Sequence, residues 1–534
     1  MTWQAGRRRG RPSWVDRELV ILGLLVLWHL MAITLFAATR VVPTPLAVAR
    51  QLWDDRASYR PNVVTTLREA MIGYLWGNLV AIALGVVFDL VPSVAGPLLR
   101  VAIAAFNIPL VAIAPILVVT LSGDGPKAAL AALAVFFTTM IATILGLGSA
   151  DAHSLDVVRA NGGGKGMALR KVKLWAALPS LFAGLRIAAP AALLGAVIGE
   201  YLGANEGLGV AMIQAQSSFE VARTWGIALV VSGLAGMLYL AASVVAHLMT
   251  PWAGGADLGS LDPRRSGRTS GSQDWWSRVA VAIRTVALSV AVLLGVWYGF
   301  IRAFDLNPFF AKNPLDVYRF LITATGAVDH RTLLFTALRQ TLADAAAGYV
   351  AGTLAAVVAA VLVVISPAIE QTVMPAAIAL RSIPLVALTP LIALLFGRGF
   401  WGVTVVVSLV TFFPTLVNVA VGLRSAPILA CDLVRALGGN RTMIVRKVQI
   451  PYTLPALFAS ARIAAPAAIG GATLAEWLAT GKGLGSALVV SYSASDFNTL
   501  WSGAAIIVAV SVLLYGAVSI VEGIVLDRFG GGQG

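Results

Sequence analysis

The sequence predicts an all-α polytopic membrane protein, with about twelve transmembrane helices arranged as two parallel six-helix repeats. Three observations predict it. Of 534 residues, 58% are AVILMFWYC and only 12% are charged, with a mean hydropathy of +0.85. Apolar stretches recur along the whole chain, each about long enough to cross ~30 Å of hydrocarbon as a helix. Motifs of the first half return in the same order in the second. Such a composition excludes a soluble enzyme, a disordered scaffold and a secreted disulfide framework.

In chain order the spans fall near 19–38, 63–88, 95–121, 128–148, 182–202 and 225–249. A second set falls near 279–300, 333–364, 370–397, 401–421, 458–478 and 501–524. The first domain is therefore 1–249 and the second 277–534. The segment between them, 250–276, is rich in Gly, Ser, Asp and Arg, which is the composition of a hydrated linker. The first span follows "RRRGRP" in the manner of a signal peptide, but Trp28 and Pro45 have counterparts 269 residues later in Trp297 and Pro314. That places the first span within the fold.

The repeat sharpens along the chain. "TLREAMIGYLWG" (66–77) matches "TLADAAAGYVAG" (341–352), and "IPLVAIAP" (108–115) matches "IPLVALTP" (383–390), both displaced by 275. "VRANGGGKGMALRKV" (158–172) matches "VRALGGNRTMIVRKV" (434–448), and "RIAAPAA" (186–192) recurs at 462–468, both displaced by 276. Same-order spans, even in number per half, make the halves parallel repeats about an axis along the membrane normal.

Lys and Arg exceed Asp and Glu by 39 − 25 = 14. In a membrane protein this excess sets topology, so it is not read as affinity for nucleic acid. The N-terminal arginines 7, 8, 9 and 11, the linker, and the loops 149–181 and 422–457 are predicted to be cytoplasmic, with both termini inside. The single cysteine, Cys431, forms no intrachain disulfide, and four scattered histidines have no metal-ligand spacing.

The two long basic loops carry the most informative residues. In the second, Asp432, Leu433, Val434, Arg435, Ala436, Leu437, Gly438 and Gly439 precede Ile450-Pro451 and Leu454-Pro455. The first repeats the pattern as Asp156, Val157, Val158, Arg159, Ala160, Asn161, Gly162 and Gly163, with Trp175 where the second loop has Pro451. A short amphipathic helix opened by the acid and closed by glycine presents a rigid knob to a soluble partner. No Walker A spacing occurs, since "GGGKGM" (162–167) lacks it, so ATP must be bound elsewhere. The plain alternative is an ordinary basic topogenic loop.

The loop pattern resembles the E-A-A-x-x-x-G-x(9)-I-x-L-P loop of binding-protein-dependent ABC importer permeases. "IPLVALTPL", "RIAAPAA", "AEW" and "GKGLG" are similar to the branch that carries nitrate, sulfonates and taurine. Asp stands for the usual Glu, and larger aliphatics for the alanines. The resemblance implies two permease domains fused in one bacterial inner-membrane chain, with no catalytic residue and no cofactor of its own. It also implies ATP and Mg on two identical ABC ATPase subunits, docked at Asp156–Gly163 and Asp432–Gly439, and a solute-binding protein outside. The rival is an ion-gradient-driven secondary transporter of twelve spans, which is expected to carry coupling groups near the midplane.

Within the membrane, Pro109 and Pro115 match Pro384 and Pro390 on the third spans. Prolines bend helices and leave room between them, and in the resembled family these spans line the passage. Arg381 stands midway along its span, opposite Phe106 in the repeat. A buried arginine is costly, so it marks either a cationic face for a small polar or anionic solute or a carbonyl-bonded strut. Glu200 and Glu476 match near the outer ends of the fifth spans and either shape an outer gate or cap a re-entrant loop. Glu69 and Asp344 match near the outer surface and are expected to face water. Trp225 and Trp501, at the starts of the sixth spans, are expected to anchor the membrane interface.

Overall fold

The computed structural model describes residues 14–38, 40–91, 109–252, 275–366, 369–370, 373 and 385–530. Helices joined by turns make up this structure, with no strand among the described residues. The first half runs α1 (Trp14–Ile33), α2 (Pro45–Asp54), α3 (Arg56–Leu90), α4 (Leu110–Thr120), α5 (Gly125–Gly148), α6 (Ala152–Ala160), α7 (Lys165–Glu200), α8 (Leu208–Ser217) and α9 (Val221–Met249). The second repeats the order as α10 (Trp275–Ala303), α11 (Pro314–Tyr318), α12 (Ala327–Ile365), α13 (Leu385–Phe396), α14 (Phe400–Arg424), α15 (Ile428–Ala436), α16 (Arg441–Leu478), α17 (Gly483–Ser493) and α18 (Phe497–Gly530).

Eight of these, α3, α5, α7, α9 and their counterparts, are long and apolar enough to cross a membrane by length and composition. The third spans are described only from Pro109 and from Leu385 onward, and the linker from 253 to 274 lies outside the described residues.

Local sequence explains where elements start. Thr44 accepts a hydrogen bond from the Ala47 amide ahead of Pro45, and Asn313 forms a capping box with Asp316 ahead of Pro314. A side-chain cap followed by proline at the first helical position satisfies and pre-sets the first turn. Close packing explains the pairing of α3 with α5 and of α12 with α14. A Cβ at Gly73 or Gly348 would run into Ala131 or Val407, so these Gly-x-x-x-Gly helices approach backbone to backbone.

The tryptophans depart from expectation. Trp225 stacks on Trp28 with centroids 5.7 Å apart and donates to the Val41 carbonyl at 3.2 Å. Trp501 stacks on Trp297 at 5.4 Å, donates to the Phe310 carbonyl at 2.8 Å and is 5% exposed. Both tie the first helix of their half to the last. Paired indoles whose N–H groups meet carbonyls are struts between helices, which overrides the interfacial role.

The halves meet through α4 and α13. α4 packs on α16, α17 and α18, whereas α13 packs on α7, α8 and α9. Leu391 and Leu474 accordingly join the core of the first half, and Ala112 joins that of the second. α4 and α13 thus each cross into the other repeat and form a central seam.

Candidate coupling loops and membrane passage

The predicted knobs are present as α6 and α15, and both close in the same way. Gly162 (φ +74°) donates to the Arg159 carbonyl at 2.9 Å, and Gly163 donates to Val158 at 2.8 Å. Gly438 (φ +79°) donates to Arg435 at 2.9 Å, and Gly439 to Val434 at 2.8 Å. These paired bonds form the Schellman motif, whose left-handed residue is glycine because a Cβ is penalised there.

The expectation that Asp156 and Asp432 open the helices is corrected. Both stand in mid-helix and pair with the arginine three residues on, at 2.9 Å for Asp156–Arg159 and 2.6 Å for Asp432–Arg435. The helices start a turn earlier. Asp151 caps α6 by accepting from the Ser154 amide at 3.0 Å, and this bond with that of the Ser154 hydroxyl holds its carboxyl below the usual range. Pro427 begins α15 without a side-chain cap. Asp156, Val157 and Arg159 are exposed, as are Asp432, Leu433, Arg435 and Gly438, while Val158, Val434, Gly163 and Gly439 are half-buried.

Each knob leads into a long helix through a π-helical turn, 169–173 in α7 and 445–449 in α16. The roots are anchored on the preceding spans. Lys173 pairs with Asp89 at 2.6 Å, and Arg441 donates to the Val364 carbonyl at 2.6 Å.

At the far end of the same helices, Glu200 is 1% exposed and accepts from the Thr66 hydroxyl at 2.5 Å and the Gly209 amide at 2.6 Å. Glu476 is fully buried and accepts from Thr341 at 2.9 Å and the Gly485 amide at 2.8 Å. Leu208 and Leu484 amides donate back to the same threonines at 2.9 Å. The carboxylates thereby sit at the N-termini of α8 and α17, where the backbone donors and helix dipole favour negative charge.

Two expectations fail here. Glu69 (0% exposed) and Asp344 (3%) are buried beside this cluster instead of facing water. The cause is packing by α5 and α14, which local hydropathy does not reveal. Glu69 accepts from Lys127 at 2.8 Å, and Lys127 also reaches Asp124 at 3.3 Å. Against the partial burial that raises it, Lys127 and Arg68 hold the Asp124 carboxyl below its ordinary range.

Just beyond the glutamates, Tyr201 and Trp477 touch across the seam, edge to face, with centroids 5.9 Å apart. Sequence reasoning missed this pair, although both follow matched glutamates in the repeat. It also missed Thr66 and Thr341, which head the best-matched motif of the second spans.

Of the proline set, Pro109 is the N-cap of α4 and so opens that helix instead of bending it. A Cβ at Gly470 of the other half would stand 3.3 Å from it, so Pro109 lies at the seam. Pro115 and Pro390 are buried inside α4 and α13. Phe106, Arg381 and Pro384 lie outside the described residues.

Comparison with known proteins agrees with the duplication. The chain is 30% identical over 233 residues to a probable ABC transporter permease protein of Haemophilus influenzae, covering 43% of this chain and 95% of that one. It is 30% identical over 179 residues to the formylaminopyrimidine transport permease protein of Halalkalibacterium halodurans, covering 34% and 70%. Against the taurine transport system permease protein of Escherichia coli the figures are 27% over 240 residues, 43% and 86%. No solved structure matches the chain significantly. The family described as "Binding-protein-dependent transport system inner membrane component" matches residues 77–255 and again 348–528. The chain belongs to that family, as a multi-pass inner-membrane permease of an ABC importer that carries the family's unit twice.

Proposed function

We propose that the solute passes along the seam between α4 and α13, and that α6 and α15 are the handles on which two identical ATP-binding subunits pull. ATP and Mg are held by those subunits, and a binding protein delivers solute on the opposite side. Both termini, the linker and the two knobs face the cytoplasm, as the basic loops require. The domains are 1–249 and 277–534. The observation that carries this reading is the doubled mechanical unit, in which an exposed glycine-closed knob continues through one long helix to the seam. ATP binding draws the knobs together, tilts α7 and α16 as levers and parts their far ends; hydrolysis resets them.

The solute is a small polar or anionic molecule. Support comes from relatives named as transporting taurine, aliphatic sulfonates, formylaminopyrimidine and riboflavin, all small polar organic molecules. Pro109, Pro115, Pro384, Pro390, Phe106 and Arg381 line the passage in this reading, and Glu200 and Glu476 brace its outer end.

Reconstitution in vesicles tests it. Uptake of taurine or an aliphatic sulfonate is expected only with ATP, an ABC ATPase encoded beside this chain and the neighbouring binding protein. Uptake driven by an ion gradient alone would overturn the reading.

A further inference from the structure

The two halves treat the same buried acidic pair differently. In the first, Glu69 stands one helical turn from Thr66, whose hydroxyl donates to Glu200 at 2.5 Å, and the Lys127 ammonium sits on Glu69 at 2.8 Å. All three groups are buried. In the second, Asp344 takes the place of Glu69 and Glu476 that of Glu200, but the position of Lys127 is Val403, itself fully buried. The register is fixed by packing: Gly73 lies on Ala131 and Gly348 on Val407, so residue 127 corresponds to 403.

The second pair is therefore short of a positive charge. Glu476 Oε2 is satisfied by Thr341 and Gly485, and Asp344 Oδ2 by the Gln340 amide at 3.0 Å. Glu476 Oε1 and Asp344 Oδ1 are buried without a partner, whereas in the first half's pair only Glu69 Oε2 is, and the other oxygen of that carboxylate holds the ammonium. Asp344 stands one helical turn from Thr341, whose hydroxyl donates to Glu476, so both carboxylates flank that one residue. The neighbouring elements offer no compensation among the described residues. α12 contributes Gln340 and Thr341, α14 contributes Val403, α17 contributes glycine amides, and Lys482 before them is exposed. Two carboxylates left uncompensated in a low-dielectric site are costly, and proteins relieve that cost by taking up a counter-charge.

We propose that Asp344 and Glu476 form a binding site for one small exchangeable positive charge, a proton or a sodium ion, at the place where the first half carries its own ammonium. Its location, one residue before Trp477, puts that charge against the outer end of the seam. The inference rests on the two halves of this chain and stands whatever solute is carried.

The test is the apparent melting temperature of the full chain in lipid nanodiscs, measured across pH and with sodium or choline chloride. If the charge is a proton, the folded state binds more protons than the unfolded one, so the melting temperature falls by several degrees from about pH 6 to about pH 9 and ignores sodium. If it is sodium, the melting temperature at fixed pH rises with sodium and not with choline. Asp344→Asn is expected to abolish whichever response the native chain shows. Val403→Lys, which tethers an ammonium where the first half has one, is expected to abolish it too, whereas Glu69→Gln leaves it. A native chain insensitive to both pH and sodium overturns the proposal. So does an unchanged response in Asp344→Asn or, should that variant not fold, in Val403→Lys.

Discussion

Tyr201 and Trp477 occupy the same position in the two repeats and touch each other. Equivalent residues of parallel repeats can meet only where the pseudo-two-fold axis passes between them, so this contact marks the axis at the far end of α7 and α16. Tyr201 is further held by the Met212 sulfur 3.3 Å from its hydroxyl. If the seam is the passage proposed above, an axial aromatic pair there has to part before solute enters.

Joining the pair covalently is therefore expected to stop transport. In a Cys431→Ser background, Tyr201→Cys with Trp477→Cys is expected to crosslink under mild oxidation and to lose solute uptake, with recovery on reduction. Each single variant stays active. Full uptake by the crosslinked chain would place the passage elsewhere.

A second prediction concerns the knob. Gly438 has φ +79° and open space around its Cα, so a side chain there meets strain alone. Gly438→Val costs about 1–2 kcal/mol in that conformation, enough to undo the last turn of α15 while leaving the membrane helices intact. Expected is loss of ATPase co-purification with a nearly unchanged melting temperature of the isolated chain. Normal co-purification together with normal solute-stimulated ATP hydrolysis would remove α15 from the coupling role.

The third prediction distinguishes the two knobs by acid. The Asp151 carboxyl titrates below its ordinary value in the folded chain, so its cap on α6 is fully present above the ordinary carboxylate range of about 3.9 and is lost as pH falls through the lower folded value. α15 has no such cap. Hydrogen exchange at the Ser154 amide is thus expected to accelerate on acidification below about pH 4, relative to the trend at Met443, whose cap Asn440 does not titrate. Asp151→Asn should remove the difference.

A fourth follows from the braces at the far end. Thr341→Val removes a hydroxyl that donates to Glu476 and accepts from the Leu484 amide, leaving both buried. A loss of about 1–3 kcal/mol per unsatisfied group is expected, seen as a lower melting temperature that Thr341→Ser largely restores. Equal stability of the valine and serine variants would mean that the threonine fills space only.

The repeat, the long helices and the knobs were legible because hydropathy, motif order and glycine placement are local signals. α6 and α15 lie where the duplicated Val-Arg-Ala and Gly-Gly residues put them, although Asp156 misled as to the start, since the capping residue lies five positions earlier. Burial of Glu69 was illegible for a different reason. Its partner Lys127 lies 58 residues away on another helix, and a carboxylate near a helix end looks hydrated until that helix is packed. Trp225 likewise reads as an interfacial anchor until Trp28 and the Val41 carbonyl are placed around it. The Tyr201–Trp477 contact depends on the two repeats docking, which no single stretch of sequence encodes.

The last prediction addresses the charge of the solute through Arg381. A position midway along the span predicted at 370–397 carries a cost of about 2.5–3.5 kcal/mol on insertion scales unless water, a partner or solute meets it. Its own helix supplies no partner, for positions 377, 378, 384 and 385 are Ala, Ile, Pro and Leu. The matching position of the first half is Phe106, so if these spans line the passage as proposed, it carries one cationic side. A charged hydrogen bond to a passing anion contributes about 1.5–3 kcal/mol, which corresponds to a roughly ten- to hundredfold fall in anion uptake for Arg381→Gln. Arg381→Lys keeps the charge without the planar fork and should retain part of the activity. Assembly with the ATPase is expected to survive both changes. Wild-type uptake by Arg381→Gln in reconstituted vesicles, or failure of that variant to fold, would make the arginine a strut between helices and withdraw the assignment of an anionic solute.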